Sequence, residues 1–470
     1  MRATAVVGIA LLLGLAAEAV AASVAIAPDR MLVVDGKRTF VLGLYENPPD
    51  EHLRNAAEAG FNLVRSGADR EALDRLATFG VFGWVNTGYA IDLSTSRESR
   101  EERLGTLVTE LGSHPSLLVW EVPDEALWNC WYQALRWQVN DEHKTQLSRI
   151  ESLTDEGLKA ELSTRREQAD QAHKRGDFEE WERLCDSIWQ ALGEDVPGPE
   201  RRLTNSPGRA RTMAAGMVEG YGVLRRLDPE HPVWMNHAPR NSLAQLAEFN
   251  RAADIVGCDI YPAPPNRGSH SDLADRSLSA VGAFTTRMQA AAPGKPVFMV
   301  LQGFGWGDLS KDPDDAALEK NRRPTFEETR FMAFDAVVRG ARGILYWGTS
   351  YIEKDSDLWN DLLTVVRELS ELDPVLSAPD ADVDLSVAVE ETWGSFEEGV
   401  VPLAKDVDGE LWLLVANEWH DPLGYTLHGL DAVEGTRYVV GSDGREAVVS
   451  GGALRLTIGG KDVQVLRPSP

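Results

Sequence analysis

Short apolar runs recur along this chain, separated by segments with helical spacing of their apolar residues. Eight such runs stand out: Phe40–Leu44, Phe61–Val64, Val81–Val85, Leu117–Val122, Pro232–Met235, Ile255–Ile260, Pro296–Leu301 and Gly343–Trp347. Near-continuous apolar runs of this length are what strands buried on both faces require. Between them, Glu51–Ala59, Arg70–Ala77, Arg100–Leu111 and Pro324–Arg339 repeat apolar positions at helical intervals. Eight strands alternating with helices predict an α/β fold, a (β/α)8 TIM barrel. No glycine-rich loop follows the first run, which argues against a nucleotide-binding sheet. Ahead of the first run, Met31-Leu-Val-Val34 and Thr39-Phe-Val-Leu42 flank Asp35-Gly36, a tight hairpin turn.

The alternation is interrupted once. Residues from about 127 to 210 are largely helical in composition, which predicts a helical insertion after the fourth strand. It holds Trp128, Trp131, Trp137, Trp181 and Trp189. Helical spacing of Trp128, Trp131 and Leu135 fits a packed helix pair, while a lid whose rings stack on a ligand is the functional alternative. From about Ala381 the pattern changes to short strands: Ser386–Val389, Leu411–Ala416, Arg437–Val440, Ala447–Val449 and Leu454–Ile458. Turns such as Asp408-Gly409 and Asp443-Gly444 separate them, so residues 381–470 read as a β-sandwich after a barrel spanning 23–375.

The first 22 residues read as a secretory signal: Arg2, then the apolar Val6–Ala17, then small residues at Ala19, Ala21 and Ala22. The expectation is a secreted or periplasmic protein with no membrane span after cleavage. Three cysteines exclude a complete disulfide framework, although Cys130 and Cys185 share the insertion and are candidates for a bridge. Lys and Arg total 47 against 74 Asp and Glu, a formal net charge of -27. That charge repels polyanions, so nucleic acid is excluded as a partner. No His or Cys spacing suggests a metal site, and no cofactor is expected.

Chemistry concentrates where the fourth run ends, in Leu117-Leu-Val-Trp-Glu-Val-Pro-Asp-Glu-Ala-Leu-Trp128. The C-terminal ends of barrel strands converge on one face. There the sequence places Tyr45 and Glu46, Arg65, Asn86, Asp124 and Glu125, Asn236, Asp259 and Tyr261, Gln302 and Trp306, and Trp347. Carboxylates and amides with aromatic rings and few cations suit an uncharged polyhydroxyl ligand. Adjacent acids raise one another's affinity for protons, and a carboxylic acid kept protonated is what glycosidic cleavage needs.

These features resemble the (β/α)8 clan of retaining glycoside hydrolases that includes β-galactosidases and cellulases. The resemblance rests on Leu32-Val-Val-Asp-Gly-Lys37 with Phe40–Tyr45, on His114-Pro-Ser-Leu-Leu-Val-Trp120 running into Asp124-Glu125, on Asp259-Ile-Tyr-Pro262, and on Gly340–Trp347. It implies an acid/base role for Glu125, with Tyr261 and Trp347 at the clan's tyrosine and tryptophan positions. Two positions depart from the clan. Asp124 stands where the clan has Asn, and Gln302 stands where the clan has its nucleophilic Glu.

Three accounts follow. In the first, Asp124-Glu125 resembles the pair of β-N-acetylhexosaminidases: Glu125 is the acid/base, Asp124 orients the 2-acetamido group that attacks, and Tyr261 or Gln302 bonds it. In the second, the enzyme inverts, with Glu125 as acid and Glu46, Asp69, Asp259 or Glu353 as a distant base. In the third, hydrolysis is lost and the chain is a carbohydrate-binding protein. The expected catalytic residues are Glu125 and Asp124. The expected ligand is an oligo- or polysaccharide, neutral or N-acetylated, held by Glu46, Arg65, Asn86, Trp128, Asn236, Asp259, Tyr261, Gln302, Trp306 and Trp347.

Overall fold

The computed structural model describes residues 21–265, 276–311, 314–390, 399–441 and 443–469. The leader read over residues 1–22 lies outside the described residues up to position 20. Eight parallel strands close a barrel: Val41–Leu44, Leu63–Arg65, Phe82–Asn86, Leu117–Glu121, Val233–His237, Ile255–Asp259, Val297–Gln302 and Gly343–Trp347. They pair in chain order, and the eighth returns to the first through Gly343 opposite Val41. All eight apolar runs of the sequence are these strands.

Alternate residues point into the barrel, where Val41, Leu63, Val119, Phe298, Val300 and Leu345 pack with two indoles. Trp84 and Trp234 meet edge to face at 5.5 Å, and the Tyr45 ring sits on both. Gly257 makes room for this layer: a Cβ there would lie 2.0 Å from the Phe298 carbonyl and 3.3 Å from Trp234 Nε1. The base is plugged by a three-stranded antiparallel sheet, Val24–Ile26, Leu32–Val34 and Lys37–Thr39. Its turn uses positive φ at Asp35 and Gly36, and Leu32 and Val34 enter the barrel core.

The outer helices are started by side chains the sequence supplies for that purpose. Asp69 accepts from Ala72 N at 2.8 Å to open Arg70–Ala77, and Thr325 with Glu328 forms a reciprocal cap on Phe326–Val338. After the fourth strand come helices Ala126–Arg136, His143–Glu151, Glu156–Lys174 and Phe178–Leu192, before Ser206–Leu227 rejoins the barrel ring. Glu142 ties this insertion together, accepting from Trp189 Nε1 at 2.8 Å and Arg202 Nη1 at 3.0 Å.

The candidate Cys130–Cys185 bridge is not formed: both thiols are free and buried. Cys130 packs beside Met213, whereas Cys185 accepts from Arg166, so the two lie in different parts of the helical core. Trp181 and Trp189 are buried packing residues, so for them the packed-helix reading holds.

The C-terminal part forms two antiparallel sheets. One orders Ser386–Glu390, Leu423–His428 and Ala453–Ile458. The other orders Val400–Val407, Glu410–Asn417, Val463–Ser469, Arg437–Val440 and Glu446–Val448. Tyr425, Leu427, Tyr438 and Leu454 lie in the core between them. Leu414, Ala416, Val463 and Val465 join the barrel core, and Arg339 clamps Glu418 with two hydrogen bonds of 2.6 and 2.5 Å. No described helix is long and apolar enough to cross a membrane.

Candidate active site

At the C-terminal mouth of the barrel lies a pocket of about 270 Å³. Its polar side is Asp124, Glu125, Asn236, Asp259, Tyr45 and Tyr261, and its apolar side is Phe304, Trp306, Leu309 and Trp347. Tyr261 and Trp347 stack at 5.5 Å with an interplanar angle of 18°, and Phe304 meets both edge-on. This is a rigid aromatic wall facing a cluster of carboxyl groups, the pairing that a sugar ring with one apolar face calls for.

The carboxyl groups are held by strand geometry. The fourth strand ends at Glu121, and Pro123 turns the chain outward so that Asp124 and Glu125 stand half-buried at the pocket. Glu125 adopts φ 50° and ψ 28°, the left-handed region, which a non-glycine residue enters at a cost of about 1–2 kcal/mol. Its N–H is held by the Asn236 carbonyl at 3.3 Å. The Asn236 amide then bridges two acids, donating to Asp124 Oδ1 at 2.9 Å and to Asp259 Oδ1 at 3.2 Å.

Burial and mutual repulsion keep protons on this cluster. Desolvation, then the charge and hydrogen bond of Asp259 and the charge of Asp124, push Glu125 up to about 9. Desolvation, then the charges of Glu121 and Asp259, push Asp124 up to about 8 against the Asn236 hydrogen bond. Near neutral pH both residues are carboxylic acids. Glu125 and Asp259 are in direct hydrogen-bond contact, and Tyr261 also bonds Asp259.

Of the residues singled out in sequence, the pocket gathers Asp124, Glu125, Asn236, Asp259, Tyr261, Trp306 and Trp347. The others have different places. Glu46 is ion-paired with Lys354 at 2.6 Å. The Asn86 amide is turned to Glu121, at 2.7 Å from Oε2. Arg65 ends the second strand with an exposed guanidinium whose charge acts on Glu121 and Asp124. Trp128 stacks on Tyr132 outside the pocket lining, with the Arg240 guanidinium 4.9 Å above its ring. Among the proposed distant bases, Asp69 is a helix cap and Glu353 pairs with Arg323 at 2.7 Å; only Asp259 faces the pocket.

Gln302 requires a correction. Its side chain is fully buried and all of its hydrogen-bonding groups are engaged away from the pocket. Oε1 accepts from Ala263 N at 2.9 Å, and Nε2 donates to the Ala263 and Phe304 carbonyls at 2.8 and 2.9 Å. It joins the loops after the sixth and seventh strands and is not placed to bond a ligand. Gln302→Glu therefore does not restore a nucleophile: the new carboxylate meets two carbonyl oxygens and leaves both without a donor. We expect a loss of about 3 kcal/mol or more of stability in urea unfolding. An unchanged midpoint would show that this position is free to act in the pocket.

Tyr45, which the sequence places at the strand ends, also lines the pocket, whereas Glu121, given no role there, lies fully buried. The signal for Glu121 was its parity: it shares the inward face of its strand with Val119. Among the described residues no cluster of His, Cys, Asp and Glu is arranged to hold a metal ion.

No family model matches the chain, and no curated protein matches it. Solved structures do. A glycoside hydrolase family 5 protein from Bacteroides vulgatus ATCC 8482 superposes with a TM-score of 0.52 at 13% identity, over 95% of this chain and 93% of that one. The β-galactosidase of Bacillus circulans sp. alkalophilus superposes with a TM-score of 0.50 at 11% identity, over 92% of this chain and 99% of that one. The fold of this chain, a closed parallel (β/α)8 barrel with a C-terminal all-β region, is the fold of these glycoside hydrolases.

Proposed function

We propose that this chain is an O-glycoside hydrolase in which Glu125 is the general acid/base and the 2-acetamido group of an N-acetylated sugar is the nucleophile. The observation that carries this reading is the contact between Glu125 and Asp259. Two-carboxylate hydrolysis needs separations of about 5–5.5 Å for retention or about 6.5–9.5 Å for inversion. Carboxyl groups that share a hydrogen bond meet neither requirement, and the seventh strand offers only the engaged amide of Gln302. A nucleophile carried by the substrate satisfies the chemistry that remains.

In the first step the acetamido oxygen attacks C1 while the C1–O glycosidic bond breaks. The bonding pair leaves with the aglycone oxygen, which takes the proton of Glu125. The positive charge that develops on the ring and acetamido group faces Asp259, held by Tyr261 and the Asn236 amide. Asp124, protonated, bonds the substrate as a donor. Water then gives its proton to the Glu125 carboxylate, adds at C1 and releases the acetamido oxygen. The product forms with its anomeric configuration retained, and Glu125 is again an acid. The sugar packs on Trp347 and Trp306. The leader at residues 1–22 supports a place of action outside the cytoplasm, on oligo- or polysaccharide.

A panel of aryl glycosides tests this reading. We expect N-acetylhexosaminides to be cleaved at least about 10²-fold faster than the matching hexosides, because removing the acetamido group removes the nucleophile. The first-formed anomer in NMR should be the retained one. Equal rates on both series with an inverted product would favour a water-activating base and overturn the substrate-assisted step.

A further inference from the structure

The helix that starts after Glu125 leads away from the pocket to a second site that the reaction does not use. Trp128, Tyr132 and Arg136 follow at four-residue intervals, so they share one face of Ala126–Arg136. The Trp128 and Tyr132 rings stack at 5.9 Å with an interplanar angle of 26°, and the Arg136 guanidinium lies 6.0 Å from the Tyr132 ring centre. Where this ridge ends, a groove of about 590 Å³ opens. Arg136, Trp137 and Lys144 line it from the helix, and Arg201 lines it from the segment before Ser206–Leu227.

Buried polar groups fix the two sides of this groove against each other. Residues Trp137–Glu142 form a π-helix between Ala126–Arg136 and His143–Glu151. Such wide turns are rare and recur at functional sites. Gln138 and Glu142 of this turn are buried. Gln138 donates to Glu182 at 3.2 Å and accepts from Leu203 N at 3.1 Å, while Glu142 holds Arg202 at 3.0 Å. Arg202 directly follows Arg201, and Glu142 directly follows Asp141, so the buried ion pair pins the segment carrying Arg201 to the turn carrying Trp137, Asn140 and Asp141. The Arg201 guanidinium lies 4.7 Å over the Trp137 ring. A guanidinium stacked on an indole presents its N–H edges sideways, in the geometry that grips a carboxylate with two bonds. Among the described residues, Arg136, Lys144 and Arg201 have no ion-pair partner. Asp141, Glu200, Gln133 and Asn140 add acceptors for hydroxyl groups. The groove therefore suits a ligand with both a carboxylate and hydroxyls, whereas the catalytic pocket has no cation in its lining.

We propose that this groove binds the aglycone side of the substrate, and that the substrate is an oligosaccharide in which N-acetylated sugars are interspersed with uronic acids. The proposal rests on the reading of Glu125 as the acid: its proton goes to the leaving oxygen, so the chain that departs along the helix behind Glu125 is the aglycone. Sugar rings pack along Trp128 and Tyr132, and a carboxylate beyond them meets Arg136, Arg201 and Lys144. The helix covers roughly 20 Å from Trp128 to Lys144, a length that takes an oligosaccharide to span. The charges of the ligand are sparse. A densely sulfated chain would be repelled by the formal net charge of -27, whereas isolated carboxylates feel mainly the charges within a screening length of about 8–10 Å.

Calorimetry on the full chain carrying Glu125→Gln tests this. The probes are a hyaluronan hexasaccharide, which alternates N-acetylglucosamine with glucuronic acid, and neutral chitohexaose. The acidic probe should bind at least about tenfold tighter at low salt, and the preference should shrink in about 0.5 M salt. Adding Arg136→Ala and Arg201→Ala together should abolish the preference; both residues are exposed, so the fold is kept. Arg103→Ala with Arg367→Ala removes two exposed cations from barrel helices instead and should leave it intact. A chondroitin sulfate hexasaccharide should bind no tighter than the hyaluronan probe. Equal affinity for the acidic and neutral probes, an equal loss in the two pairs of substitutions, or tighter binding of the sulfated probe overturns the proposal. Full turnover of aryl glycosides by Glu125→Gln would remove the catalytic assignment, whereas the ratio of the dissociation constants decides the groove by itself.

Discussion

Glu125→Gln should lower turnover of natural-type substrates by about 10²–10⁴-fold, the contribution expected from one positioned acid. The loss should shrink toward nothing for the first step, departure of the aglycone, with dinitrophenyl glycosides, whose leaving group departs without a proton. The amide is a close structural replacement, since it can still donate to Asp259 as the protonated acid does. Folding and sugar binding should therefore persist, and the lost property is the transferable proton. The pH profile carries the same signature. An acid pushed up to about 9 is protonated below that value and loses its proton as pH rises through it, so parent activity should decline between about pH 8 and 9. In the glutamine variant the part of that limb due to Glu125 should vanish, leaving the part set by Asp124. Steady-state kinetics across a leaving-group series checks both statements. A penalty that is the same for good and poor leaving groups would mean that Glu125 orients substrate without delivering a proton.

Much of the architecture was legible because barrel strands have few other ways to be written. A strand buried on both faces must be apolar throughout, and all eight runs fall within one or two residues of the observed strands. The C-terminal strands were harder. Val400–Val407 carries Pro402 and the buried Lys405, whose ammonium pairs with Asp380 at 2.8 Å and donates to the Leu376 and Ala378 carbonyls. Leu423–His428 begins with Leu-Gly, a poor strand signal on its own, although Leu423, Tyr425 and Leu427 all turn inward. These strands become stable only through partners far away in sequence.

The site followed the same division. Strand ends gave the carboxyl cluster its members, because convergence at the barrel mouth is a property of the fold. Side-chain direction was not legible. Gln302 was located correctly and given the wrong task, since nothing in Val-Leu-Gln-Gly tells which backbone groups its amide meets. Glu46, Asp69 and Glu353 look like candidate bases in one dimension, and only packing shows each one engaged elsewhere. Glu121 was visible as the one charge in an apolar run, yet its meaning depends on Asn86 and Trp84 of the neighbouring strand.

Keeping two acids protonated in a folded pocket makes stability depend on pH, and Asp124→Asn should expose that dependence. Asp124 is held at about 8 and Glu125 at about 9, whereas both return to ordinary carboxylate values in the unfolded chain. Between roughly pH 4 and 9 the folded state therefore binds more protons than the unfolded one. The linkage relation then gives stability that falls as pH rises: the contribution is fully present below the unfolded values and is lost progressively until the folded groups ionise. General repulsion in a chain of formal net charge -27 acts in the same direction, so the slope of the parent protein alone is not diagnostic. The difference between variant and parent is. Asparagine keeps the acceptor that Asn236 uses and removes one titrating group from the cluster. Its stability advantage should be near zero at pH 4 and grow to the order of 1–3 kcal/mol by pH 8 in urea unfolding, while activity falls. Parallel stability curves for the two proteins across that range would mean that Asp124 is ionised in the folded state, and the neutral donor assigned to it in the reaction would have to be given up.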